Sequence, residues 1–109
     1  MTDARMRRLI EMAAMVQDAK SAALQKTRAT CATLEGQRNA LDRGAPDPAD
    51  LPAVRAALAY EGWAALRRAE IDARLALHRA RAEAQLAEAR RAFGRRQVLD
   101  RIAKGEGPR

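Results

Sequence analysis

The sequence predicts an all-α protein: two long helices joined by one turn and folded back on each other as an antiparallel coiled-coil hairpin. Three observations carry this. The chain of 109 residues is dominated by Ala, Arg, Leu, Glu and Gln, all strong helix formers. Apolar residues make up 48% but aromatics only 3%, so few side chains are large enough to fill a globular interior. The only strong interruption is one proline-rich stretch, RGAPDPADLP, at residues 43–52.

The first arm is expected over residues 3–43, which hold no Pro and one Gly, Gly36. Met6, Ile10, Ala13, Leu24, Cys31, Leu34 and Leu41 recur at spacings of three, four or seven, and Gln17, Lys20, Thr27 and Arg38 fill the remaining seam positions. Arg43 then sits at the negative end of the helix dipole, and Gly44 suits the left-handed position past a helix end.

The turn is expected over residues 44–51. Asp47 and Asp50 are both able to cap the next helix, and Pro48 or Pro52 fits its first turn, where no amide partner is lost.

The second arm is expected over residues 52–103, with a frayed tail over 104–109. Ile71, Leu75, Ala82, Leu86, Ala89 and Phe93 form its seam, and Leu58, Ala65, Ala69, Ala73, Ala76 and Ala80 widen it toward a second face. Folding about residue 47 pairs position i with about 94 minus i, so Gly36 and Gly62 come to similar heights. The same register leaves the run AFGRRQVLDRIA overhanging the first arm. Val98, Leu99 and Ile102 then lack an intramolecular partner, while Phe93 still reaches Met6.

Charge is unevenly spread. Residues 90–109 hold seven Lys or Arg against Asp100 and Glu106, which is +5 of a formal +7 for the chain. Residues 1–89 carry 14 basic and 12 acidic side chains. A pI near 10.9 suggests an anionic partner: nucleic acid, an acidic membrane surface or an acidic protein groove. The start, MTDARMRRLIEMAAMV, reads as helix rather than secretory signal because Glu11 interrupts its apolar run. No stretch approaches the roughly 20 apolar residues that span a bilayer, so a cytoplasmic protein without stable membrane insertion is expected.

Chemistry is not indicated. His78 is the only histidine and has no metal-ligand company, so it reads as a surface helix residue. Cys31, the single cysteine, falls on the first seam and reads as a small buried side chain. There is no glycine-rich phosphate loop, and Ser21 is the only serine. Acidic residues read as halves of ion pairs along a helix, Glu70 with Arg74 for example. No catalytic, cofactor or metal residues are assigned.

Binding is indicated. Arg90, Arg91, Arg95, Arg96, Val98, Leu99 and Ile102 make a basic, amphipathic end, with Arg5, Arg7 and Arg8 brought beside it by the hairpin. Tyr60 and Trp63, near the turn, either cover the thin seam or anchor a second partner. Nucleic acid is the second choice, because phosphate binding needs only Lys and Arg, yet no base-reading signature or stacking aromatic accompanies the tail. A homodimerising adaptor is a third.

The architecture resembles a known family. An Arg-rich first helix beginning ARMRRLIEMAA leads to a central break. A second helix follows, with an aromatic-Leu-Ile opening (Trp63, Leu66, Ile71), an Ala-Glu-Arg middle (Arg81 to Arg91) and a basic-apolar ending (Arg95 to Ile102). This texture is similar to the FliJ/YscO-like proteins, small coiled-coil hairpins of the flagellar and virulence type III export apparatus. The resemblance implies a cytoplasmic stalk, peripheral at the inner-membrane export apparatus. Its end bearing both termini enters a hexameric export ATPase ring, and further contacts go to the export gate and to export chaperones. The chain is shorter than typical members, so both arms would be trimmed.

Overall fold

The computed structural model describes residues 4–43 and 49–105. It is all-α: α1 runs Ala4–Arg43 and α2 runs Leu51–Ala103, against the 3–43 and 52–103 expected. The two antiparallel helices form two compact units. One joins residues 1–27 to 81–109 (the terminal unit), and the other is residues 28–80 (the bend unit).

The helix ends follow from capping chemistry. Asp50 is the N-cap of α2: its Oδ1 accepts from the Ala53 amide at 2.8 Å and its carbonyl from the Val54 amide at 2.8 Å. Pro52 occupies the first turn, where its missing N–H costs nothing. Asp47, Pro48 and Gly44, the other expected turn residues, lie outside the described residues. Arg43 stands in the last turn of α1. Beyond Ala103, Gly105 closes α2: its φ of 76° and the hydrogen bond its amide donates to the Ile102 carbonyl at 3.0 Å make a left-handed C-cap. The tail beyond it, 106–109, lies outside the described residues.

In α1, the buried and half-buried set includes every expected seam position from Met6 to Leu41, polar members included. Their spacing alternates four and three without a break, the heptad pattern of a left-handed coiled coil. Leu24, Leu34 and Leu41 are buried, and so is Thr27, whose hydroxyl donates back to the Ala23 carbonyl at 3.2 Å. Cys31 is half-buried against the core.

In α2 the seam runs through Ala53, Ala57, Tyr60, Ala64, Arg68, Ile71, Leu75, His78, Ala82, Gln85, Ala89, Ala92, Arg96, Leu99 and Ala103, all buried or half-buried. The alternation of threes and fours is broken once, by two consecutive steps of four across Tyr60–Ala64–Arg68. Such an insertion locally unwinds a supercoil. Three expectations are corrected here. Phe93 is 49% exposed while Ala92 is buried, so beyond Ala82 the seam runs through Gln85, Ala89 and Ala92: Ala89 keeps its expected place, Phe93 leaves the seam, and Leu86 is half-buried beside it. Leu58, Ala65, Ala69, Ala73, Ala76 and Ala80 are exposed and form no second buried face. His78 is not a surface residue but a half-buried seam residue with its Nδ1 buried.

The register is also corrected. In the bend unit Arg38 pairs with Asp72, Asp42 with Arg68 and Glu35 with Arg79. In the terminal unit Lys20 pairs with Glu88, and Gln17 with Arg96. Each joins α1 position i to an α2 position near 110 minus i, not 94 minus i. The tail therefore does not overhang: residues 92–103 lie beside the first turns of α1, and Leu99 and Ala103 are half-buried there. Gly36 and Gly62 do not meet, since a Cβ built at either finds nothing within 4 Å. Glu70 bonds to Arg67 at 3.0 Å, three residues before it, rather than to Arg74.

Candidate functional site

The bend unit has a core and a ladder. Leu34, Leu41, Ala64, Ile71 and Leu75 cluster, with Cys31 and Tyr60 against them. Ile71 and Leu75, at 1% and 2% exposure, are its largest fully buried side chains. Cross-helix ion pairs flank this core: Arg38–Asp72 at 2.7 Å, Arg68–Asp42 at 2.9 Å and Arg79–Glu35 at 2.9 Å. Hydrogen bonding and attraction to Asp72 hold the Arg38 pKa above its ordinary value. A hollow of about 430 Å3 between Glu35, Arg38, Asn39, Asp72, Leu75 and Arg79 is lined by these same paired groups.

The two aromatics of the bend unit divide the roles that the sequence left open. Their ring centroids are 5.8 Å apart, tilted by 51°. Tyr60 is half-buried and its hydroxyl donates to the Leu41 carbonyl at 2.7 Å, satisfying one of the carbonyls left unpaired in the last turn of α1. Trp63 is 55% exposed.

In the terminal unit the register brings Arg5, Arg7 and Arg8 to the height of Ile102 to Gly105, beside Arg101 and Lys104. Arg90, Arg91, Arg95 and Arg96 follow along α2. Arg96 donates to Gln17 Oε1 at 2.9 Å across the seam, and Arg8 to the Ala4 carbonyl at 3.3 Å. None of these nine cations is in an ion pair among the described residues. Lys20 and Glu88 form an ion pair in this unit at 2.8 Å; its hydrogen bond and charge, with the nearby charge of Arg91, hold Glu88 below the ordinary carboxylate range.

Of the apolar trio assigned to the tail, Val98 and Ile102 are 48% and 41% exposed while Leu99 is half-buried. Gly94, Arg95, Val98 and Leu99 line a shallow hollow of about 490 Å3. The sequence reading missed four exposed apolar residues on α1: Leu9, Met12, Met15 and Val16. For three of them spacing carried the signal: Leu9, Met12 and Val16, with Ala19 and Ala23, repeat the three–four pattern one step around the helix from the seam, whereas Met15 lies off it.

Two buried polar atoms, His78 Nδ1 and Gln85 Oε1, have no hydrogen-bond partner among the described residues. No group of three or more His, Cys, Asp or Glu able to hold a metal occurs among the described residues, and no helix there is long and apolar enough to cross a membrane. No family model matches the chain, and neither a curated protein nor a solved structure matches it.

Proposed function

We propose that this hairpin is a non-enzymatic stalk or coupling component of a type III protein export apparatus, of the flagellar kind. On this reading its basic end binds the export ATPase ring in the cytoplasm, and the export gate is a further partner. The observation that carries the reading is the arginine-rich end. Arg5, Arg7 and Arg8 stand beside Arg101 and Lys104, with Arg90, Arg91, Arg95 and Arg96 behind them, and among the described residues none is neutralised by an ion pair. A cluster of unpaired guanidinium groups on paired helix ends suits insertion into an acidic or carbonyl-lined protein opening, where Arg serves as a multiple donor. The hairpin architecture and the texture of α2 support the same reading by their resemblance to the FliJ/YscO-like proteins. Because the tail is paired with α1, both helix ends enter together, rather than a single overhanging helix.

The test is titration into a purified type III export ATPase, following ATP hydrolysis and ring assembly. The intact chain is compared with one in which Arg7, Arg8, Arg90 and Arg101 become Glu. These side chains are exposed, so the seam is untouched. Stimulation by the intact chain and its loss in the variant are expected. No stimulation by the intact chain, with salt-sensitive binding to random duplex DNA instead, replaces this reading by a nucleic-acid-binding coiled coil.

A further inference from the structure

We infer that the terminal unit carries a docking face for one amphipathic helix of another protein, apolar along its centre and acidic along its flanks. The inference stands whether or not the export reading holds. It starts from a second stripe on each helix. At 100° per residue, Leu9, Met12, Val16, Ala19 and Ala23 fall on one line along α1, about a quarter turn from the buried seam. On α2, Arg91, Arg95, Val98 and Ile102 fall on the corresponding line. The Lys20–Glu88 pair shows that the two lines share one flank, because Glu88 lies on the α2 line and Lys20 directly beside the α1 line.

That flank is apolar and open. Met12 is 61% exposed, and Leu9, Val16, Val98 and Ile102 lie between 41% and 48%. Gly94 leaves the hollow beside Arg95, Val98 and Leu99 without a wall, since a Cβ there meets nothing within 4 Å. Two antiparallel helices with adjacent second stripes at three–four spacing present the holes into which a third helix sets its knobs.

Charge selects the occupant. Arg5, Arg91 and Arg95 stand within the stripes, and Arg8 and Arg101 border them. Glu11, Asp18, Glu83 and Asp100 project away from this flank, and the one carboxylate on it among the described residues, Glu88, is paired with Lys20. A second copy of the chain would set these arginines against their own duplicates. A helix with Asp or Glu on both flanks neutralises them while burying the apolar stripe.

The test uses the full chain and a synthetic helix of about three heptads, with Leu at the core positions and Glu at the flanking ones. A Lys-flanked version and phosphatidylcholine–phosphatidylserine vesicles are the controls. Binding of the Glu-flanked peptide is expected, weakened about tenfold or more by Met12→Glu and by Arg95→Glu, with no binding of the Lys-flanked peptide. Both substituted positions are exposed, and unchanged melting temperatures confirm that the variants fold. Absence of binding, binding indifferent to the variants, or equal binding of the Lys-flanked peptide overturns the inference. So does a dimer that Met12→Glu dissociates, or vesicle binding that the two variants abolish in place of peptide binding.

Discussion

Tyr60 and Trp63 lie three residues apart with their rings in contact, and different physical constraints hold them. A helix leaves its last four carbonyls without intrahelical partners, and one near a packed seam needs a donor. Tyr60 reaches the Leu41 carbonyl because its seam position aims the ring across the gap between the helices. Trp63 is one step off the seam, and its ring lies on the outside. Tyr60→Phe keeps the ring and removes only the donor, leaving Leu41 to rely on water. The expected loss is about 1 kcal/mol of unfolding free energy in urea titration. Trp63→Ala, at an exposed site, is expected to stay within about 0.5 kcal/mol of the parent. Equal losses from the two would mean that the ring pair, and not the hydroxyl, secures this end of the hairpin.

Along an element, spacing was more informative than side-chain size. The α1 seam could be read from the sequence because its polar members, Gln17, Lys20, Thr27 and Arg38, keep the four–three rhythm set by the large apolar ones. On α2, size misled: Leu86 and Phe93 attract attention, but Gln85 and Ala92 keep the rhythm that starts at Leu75 and His78. An alanine seam lets the helices approach closely, and Phe93 is turned outward. Gly105, expected within a frayed tail, is instead an ordered C-cap; its signal was a Gly after the last periodic residues with Pro108 shortly beyond. The rungs between the elements titrate. Lys20 holds Glu88 below the ordinary glutamate value near 4.5, so this rung stabilises the hairpin fully above that value. Its contribution fades as pH falls from there through the lowered folded value. At low ionic strength the parent should melt above Glu88→Gln near neutral pH, and the gap should close on acidification below about pH 4. A gap independent of pH would show that the rung contributes nothing through its charge. The pair is half-exposed, so added salt should narrow the gap as well.

At the scale of the whole molecule, helix content and the place of the break were readable, but register was not. The sequence states where each helix stops, yet the pairing depends on how the connection spans the gap and on which seam residues face each other. Centring the fold on the proline-rich stretch gave 94 minus i, whereas each unit separately gives a value near 110. The difference changes the reading of the tail. Under the first register, Val98, Leu99 and Ile102 are an unsupported spike. Under the second, they belong to a paired end to which α1 adds its own exposed apolar residues, Leu9, Met12, Met15 and Val16. Crosslinking separates the two registers within the bend unit. With Cys31 replaced by Ser, a chain carrying Arg38→Cys and Asp72→Cys should be joined internally by a short bismaleimide, because the parent side chains meet at 2.7 Å. Arg38→Cys with Ala56→Cys, the pair demanded by the other register, should not be joined, since Ala56 lies about sixteen helical rises along the axis from Asp72, near 24 Å. An exposed ion pair contributes little to stability, so the first variant keeps its fold. Efficient closure of the second pair and not the first would return residues 92–103 to an overhang and remove the shared flank on which a third helix is seated.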